Sequence, residues 1–294
     1  MPPLSYRALI LSGRRSSGDP VADAEKVSSK AFAHVGGRPM IDHVIRAVEG
    51  SGRMADIQIS LPQDCPIERE APGLAARLAR GELLRHQSKE GPSGSVLSVL
   101  QAMKPGERLF VTTADHPLLT SDLVCRFLDE ADKLDADIAA ALAPLDVVKA
   151  AREADPADLP PRRGRRTRLA FKDGVFSGCN MFALKAPAAE RGIALWQRIE
   201  HDRKKPVRLV ARLGVWGLLN WLAGRLTLAD ALGRLGRRVD LLAMPVIMRD
   251  ADAATDIDSL DDLAMVRAVF ARQKARAASP SIDSSSIDAH PINS

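Results

Sequence analysis

The chain has 294 residues, 42 Lys+Arg against 37 Asp+Glu, and a net charge of +5. With 46% hydrophobic and 27% charged residues its composition is globular, which excludes a mainly disordered chain. Aromatic residues make up only 4%, too few for a base-stacking or carbohydrate platform, and no apolar run reaches the roughly 18 residues that a membrane span needs. Cys65, Cys125 and Cys179 are too few and too far apart for a disulfide framework or a CxxC metal site. The mild basic excess comes with no nucleic-acid motif. Met1-Pro2-Pro3-Leu4 lacks a basic and apolar leader, so the expected location is cytoplasmic.

Tyr6 to Leu11 reads as a buried strand that ends at Ser12-Gly13. Residues 12 to 30 are polar and read as a long loop. Pro39 opens a helix over Met40–Val48, stopped by Gly50 and Gly52. Asp56–Ser60 alternates as a strand, and Leu74–Leu84 is helical. Gly91-Pro92-Ser93-Gly94 precedes a helix over Ser95–Met103. Arg108–Thr113 is a strand ending in Ala114-Asp115-His116-Pro117. Asp122–Leu134 is a helix with Ser121 as its N-cap, and Asp137–Leu142 is a further strand. This alternation predicts an α/β fold, a mostly parallel sheet with helices on both faces.

Beyond it, Pro160–Arg168 carries five arginines in seven residues. Thr167–Lys172 and Val175–Leu184 read as two strands turning at Asp173-Gly174. Trp196–Leu242 is mostly helical, with ten Lys/Arg against three Asp/Glu between residues 198 and 238. A strand near Leu242–Ile247 and a helix over Asp261–Gln273 follow. Residues 277–294 are Ser-rich and aperiodic and read as a disordered tail. Residues 1–276 are therefore expected to form one domain, with a basic helical insertion at about 190–240.

Ligands of open α/β sheets sit outside the carboxyl ends of the strands, where both Ser12-Gly13 and Asp115 fall. Ser12-Gly13-Arg14-Arg15 offers backbone amides and positive charge to phosphates, or is simply a solvated loop. Asp115, ending an apolar strand, suits a hard cation such as Mg²⁺, or else a turn. Asp256 and Asp258 flank Ile257 and share one face if extended. They either complete that metal site or cap the next helix. In Ser177-Gly178-Cys179-Asn180, Gly178 allows close approach of a ligand and Asn180 a hydrogen bond to its hydroxyls.

Taken in order, these segments resemble the MobA-like nucleotidyltransferases, NTP transferases of the GT-A superfamily. The resemblance runs over residues 6–185 and returns at 242–270. It rests on Ala8–Gly13, Lys30, Val35-Gly36-Gly37-Arg38-Pro39-Met40-Ile41, Gly91–Ser95, Asp115, Gly178 with Asn180, and Asp256-Ile257-Asp258-Ser259-Leu260-Asp261-Asp262-Leu263. It implies a Rossmann-like GT-A sheet with a helical insertion or lid. It assigns the nucleotide to Leu11, Ser12, Gly13, Arg14, Arg15, Lys30, Gly91, Pro92, Ser93, Gly94, Ser95, Thr113 and Asp115. The acceptor falls to His116, Gly178, Asn180 and Arg166, and Mg²⁺ to Asp115, Asp256 and Asp258. Lys30, Arg15, Asp115 and Asp258 would carry catalysis. Here the opening loop is Ser-Gly-Arg-Arg rather than Gly-Gly-x-Gly-x-Arg, and the 190–240 region has no counterpart in compact members.

The activity implied is Mg²⁺-dependent transfer of an NMP from CTP or GTP to a phosphorylated small molecule. The acceptor would be a sugar, polyol or lipid-headgroup phosphate. A GT-A glycosyltransferase and a non-catalytic nucleotide-binding module are the alternatives. Residues 203–225, basic and carrying Trp216 and Trp221, read either as a packed lid or as a peripheral membrane contact.

Overall fold

Strand β1 (Tyr6–Leu11) lies at the centre of the fold because its side chains are apolar on both faces. Tyr6, Ala8 and Ile10 pack into one layer and Leu9 into the other, all fully buried. Such a strand is stable only with cover on both sides. The computed structural model describes residues 5–13, 18–154, 168–201 and 225–278.

The remaining strands are β2 (His34–Val35), β3 (Arg38–Pro39), β4 (Met54–Leu61), β5 (Leu84–Gln87), β6 (Arg108–Thr113), β7 (Ile138–Pro144), β8 (Leu169–Phe171), β9 (Gly174–Lys185) and β10 (Ala243–Ile247). The main sheet has eight strands in the order β10-β7-β9-β6-β1-β4-β5, with β8 paired to β9. β4, β6, β5 and β10 run parallel to their neighbours β1, β4 and β7, whereas β9 is antiparallel to β6, β7 and β8. The sheet is thus mostly parallel, as expected. Its one long reversed strand carries residues from the edge of the sheet back through its middle.

The helices are α1 (Pro20–Glu25), α2 (Met40–Gly50), α3 (Ile67–Glu70), α4 (Pro72–Ala79), α5 (Gly91–Leu100), α6 (Ser121–Leu134), α7 (Leu145–Ala154), α8 (Ala188–His201), α9 (Leu228–Arg237) and α10 (Leu260–Ala278). On the face of Tyr6, Ala8 and Ile10, α2 contributes Ile41, Val44, Ile45 and Val48, and α6 contributes Leu123, Val124, Phe127 and Leu128. The i, i+3, i+4 and i+7 spacing of the α2 set and the i, i+1, i+4 and i+5 spacing of the α6 set each put the apolar residues on one face of an amphipathic helix. On the other face α5 and α8 bring Val96, Val99, Leu100 and Ala189 against Leu9, Leu109 and Val111. Each fully buried aliphatic side chain contributes about 1.5–3 kcal/mol, so these two layers dominate the stability of the sheet.

Several local expectations need correction. Thr120, not Ser121, caps α6: its hydroxyl accepts from the Leu123 amide, and Ser121 is the first helical residue. α5 starts at Gly91 rather than Ser95: Gly91-Pro92-Ser93-Gly94, expected ahead of the helix, is its first turn, since Pro92 suits that position. The helix expected over Leu74–Leu84 ends at Ala79, and Leu84 opens β5. The long 12–30 loop contains α1, which Asp19 caps through the Val21 and Ala22 amides. α8 begins at Ala188 and packs on α5, ahead of the expected start at Trp196. The tail expected over 277–294 starts later, since α10 runs to Ala278, and residues 279–294 lie outside the described residues, as does the membrane contact expected of 203–225 apart from residue 225. Among the described residues no helix is long and apolar enough to cross a membrane.

The turn between β2 and β3 uses two left-handed residues, Gly36 (φ +56°) and Gly37 (φ +86°). This backbone is suited to a two-residue hairpin and costly for other side chains. A Cβ on Gly36 would stand 2.7 Å from the Phe270 ring of α10. Gly36→Ala is therefore expected to destabilise the protein by about 1–3 kcal/mol in a urea titration. An unchanged midpoint would contradict this packing.

Candidate active site

Strands β1 and β6 end side by side, with the Ala114 amide bonded to the Leu11 carbonyl at 2.9 Å and the Ser12 amide to the Ser60 carbonyl at 3.0 Å. Asp115 therefore emerges at the carboxyl edge of the sheet beside Ser12. Its own carbonyl accepts from the Ile257 amide at 2.9 Å. That bond draws Asp256-Ile257-Asp258, more than a hundred residues away in sequence, against the end of β6.

Lys30 opens a short 3₁₀ turn, Lys30–Phe32, with Ser29 as its cap. Its Nζ lies 2.6 Å from Asp115 Oδ2 and 2.8 Å from Asp258 Oδ1, and it donates to the Ile257 carbonyl at 2.7 Å. Burial by itself would lower the Lys30 pKa, but the carboxylates of Asp115 and Asp258 outweigh it and hold the ammonium above its ordinary value. Asp256 is held by Asn180, whose Nδ2 donates to Oδ2 at 3.1 Å. Asn180 sits at φ +51° on β9, a left-handed conformation that Asn tolerates better than most side chains.

Asp115, Asp256 and Asp258 each place a carboxylate oxygen within 4.8 Å of the others. Among the described residues Lys30 is the ammonium of this cluster, paired with Asp115 and Asp258. The Asp115 Oδ1 atom, the Ser12 hydroxyl and the Thr113 hydroxyl are buried with no hydrogen-bond partner among the described residues. A buried polar atom left so costs about 1–3 kcal/mol, which is the mark of a place built for a ligand. The all-oxygen donor set fits a hard divalent cation such as Mg²⁺. A cleft of about 90 Å³ is bordered by Gly13, Ser29 and Lys30.

Of the residues predicted from sequence, Lys30, Asp115, Asp256, Asp258 and Asn180 form one hydrogen-bonded cluster, and Leu11, Ser12, Gly13 and Thr113 border it at the ends of β1 and β6. Gly91, Pro92, Ser93, Gly94 and Ser95 form the first turn of α5, which follows β5 at the same carboxyl edge of the sheet. The Ser95 hydroxyl there accepts from the Lys89 amide at 2.9 Å. Gly178 faces open space: nothing lies within 4 Å of where its Cβ would be. His116 is buried, with Nε2 against the Asp252 carbonyl at 2.8 Å, and so braces the Asp252–Ala254 turn ahead of Asp256. Arg14, Arg15 and Arg166 lie outside the described residues. The sequence reading passed over Ile257, whose amide and carbonyl bind Asp115 and Lys30. A backbone role of this kind leaves no trace in residue type.

A family model of the MobA-like NTP transferase domain matches residues 8–237. A hypothetical transferase from Thermus thermophilus shares the fold with a TM-score of 0.68 and 25% identity, over 88% of this chain and 100% of the other. CMP:2-keto-3-deoxy-manno-octonic acid synthetase, solved with CTP, is similar with a TM-score of 0.51 and 14% identity, over 92% of this chain and 99% of the other. 4-Diphosphocytidyl-2C-methyl-D-erythritol synthase from Anaerococcus prevotii follows at 0.50 and 12%, over 91% and 99%. No curated protein matches the sequence.

Proposed function

The chain belongs to the MobA-like NTP transferase family, and we propose that it is a Mg²⁺-dependent nucleotidyltransferase. It would move an NMP from CTP or GTP to a phosphorylated small molecule and release pyrophosphate. The observation that carries this reading is the carboxylate cluster around Lys30, with a buried Asp115 Oδ1 that has no hydrogen-bond partner among the described residues. A fold relative solved with CTP supports a nucleoside triphosphate as donor.

In this reading an oxygen of the acceptor phosphate attacks the α-phosphorus of the NTP. A new P–O bond forms, the bond to the β-phosphate oxygen breaks, and pyrophosphate leaves with the electron pair. Asp115, Asp256 and Asp258 would hold Mg²⁺, which supplies charge neutralisation at the phosphoryl oxygens. Lys30 binds phosphate oxygens and compensates the charge of the leaving group, with Arg15 as the second cation assigned there. The Ser12 and Thr113 hydroxyls and the Gly13 backbone meet the triphosphate, and the first turn of α5 meets base and ribose. Asn180 orients Asp256. No general base is needed, because a phosphomonoester loses its second proton at about pH 6 and is already a nucleophile at neutral pH.

The test is a thermal-shift panel of the four NTPs with and without Mg²⁺. A ligand at about 100 Kd adds roughly 2.7 kcal/mol of stability. One NTP is expected to raise the melting temperature, and only with Mg²⁺. Nucleotide binding that ignores Mg²⁺ would favour the non-catalytic alternative. No shift with any NTP would overturn the proposal.

A further inference from the structure

A cavity of about 700 Å³ lies apart from the carboxylate cluster, none of whose residues line it. It opens at the carboxyl edge of the sheet over β10, β7 and β9 and is bordered by the ends of β7 and β10 and the start of β9. Phe176 and Leu228 form a buried apolar floor that continues onto Ile247, which is 40% exposed. Lys149, Arg168 and Arg249 stand at its exposed mouth.

Three cations stand against two acids in the lining, an excess of one positive charge. The two acids of the lining are engaged by backbone: Asp173 accepts from the Leu228 amide at 3.0 Å, and Asp146 from the Val147 amide at 2.8 Å. None of the three cations forms an ion pair among the described residues. Apolar floor and cationic mouth together select a molecule with a hydrocarbon body and a negative head. The volume falls within the range of small-molecule sites, about 300–1,000 Å³.

Two stretches of chain lead from this cavity to the cluster. Along β9, Asn180 follows Phe176 by four residues, about 13 Å of extended strand. From β10, Ile247 and Arg249 lead directly into the segment that ends in Asp256 and Asp258. Cavity and cluster are thus joined by a single strand and by one short segment of chain.

We infer that this cavity takes the acceptor, and that the acceptor is an amphiphilic phosphomonoester, its hydrocarbon body on Phe176, Leu228 and Ile247 and its phosphate drawn to the mouth by Lys149, Arg168 and Arg249. This rests on the nucleotidyltransferase reading for the use of the bound phosphate, but not for its binding.

Calorimetric titrations of the full chain without nucleotide test it with geranyl monophosphate, geraniol and glucose 1-phosphate as probes. Geranyl monophosphate is expected to bind at least about tenfold more tightly than either control, since each control lacks one half of the recognition. The Lys149→Glu/Arg249→Glu double variant, altered only at exposed positions, should bind it at least about tenfold more weakly. Equal affinity for glucose 1-phosphate, no binding of geranyl monophosphate, or affinity untouched by the charge reversal would each overturn the inference. Mg²⁺-dependent NTP binding, measured separately on the unaltered protein, reports on the nucleotidyltransferase reading alone. Its failure would leave the cavity result standing, and a failed cavity would leave the nucleotide result standing.

Discussion

Replacing Asp115 by alanine is expected to lower pyrophosphate release by at least about a hundredfold and to leave the fold intact. The carboxylate touches Lys30 at 2.6 Å and belongs to the three-carboxylate cluster. Removing it deletes one ligand of the proposed cation and a contact of the phosphate-binding lysine in one step. Losing a single preorganised electrostatic contact at a transition state costs about a hundred- to a thousandfold, and here two are lost. Folding should tolerate the change for three reasons. The bond from the Ile257 amide goes to the main chain of Asp115, which alanine retains. Lys30 keeps Asp258 as a partner. The variant also removes the buried Oδ1 atom that has no partner, which offsets part of the lost ion pair. Unfolding in EDTA should therefore shift by no more than about 2 kcal/mol, while the stabilisation given by Mg²⁺ to the unaltered protein disappears. Near-normal turnover in Asp115→Ala would sink the metal assignment. Collapse of the fold in EDTA would show that the carboxylate is structural instead.

The parts of this molecule that were legible in the sequence are those written in side-chain pattern. The apolar run Tyr6–Leu11 and the 3.6-residue spacing in α2 and α6 are consequences of burial, and all three elements lie where that pattern puts them. Asp115 was legible because a carboxylate at the end of an apolar strand is costly without a purpose. Backbone geometry was less legible. The antiparallel course of β9 is set by its pairing with β6 and β7, and a strand's direction leaves no mark on its composition. Gly91–Gly94 looked like a loop because glycine and proline mark turns. The same residues start a helix when Pro92 occupies its first turn. The meeting of Lys30 with Asp258 spans 228 residues and could be expected only from the resemblance to a family. The cavity at the far end of β9 has no motif at all. Lys149 and Arg249 are ordinary surface residues until the fold sets them around one mouth.

Lys30→Met gives the opposite signature to Asp115→Ala and so separates the two roles. The methionine keeps most of the length and apolar stem of the lysine but removes the only ammonium that the cluster has among the described residues. The side chains of Lys30 and Asp115 are 12% and 14% exposed, so the carboxylate is left buried without its counter-charge. Breaking a buried pair in this way costs about 3–5 kcal/mol, with the Asp258 contact, 52% exposed on the acid side, adding little. For a chain of this size about 3 kcal/mol corresponds to a fall of roughly 6–12 °C in melting temperature. The loss should be measured in EDTA at neutral pH. The pKa of Lys30 is raised in the fold, so its contribution is fully present below the ordinary lysine value and is lost only as pH rises through the raised one. Neutral pH therefore reads the whole effect. Millimolar Mg²⁺ should restore much of the lost stability, because a cation bound by Asp115, Asp256 and Asp258 replaces the missing charge. In the unaltered protein the same ion competes with Lys30 for Asp115 and Asp258, so its stabilising increment is smaller. Activity should stay low in the variant even with Mg²⁺ saturating, since the phosphate loses its ammonium. An equal Mg²⁺ increment in variant and unaltered protein would show that the ion does not bind at this cluster, and full activity in Lys30→Met would remove the lysine from the reaction.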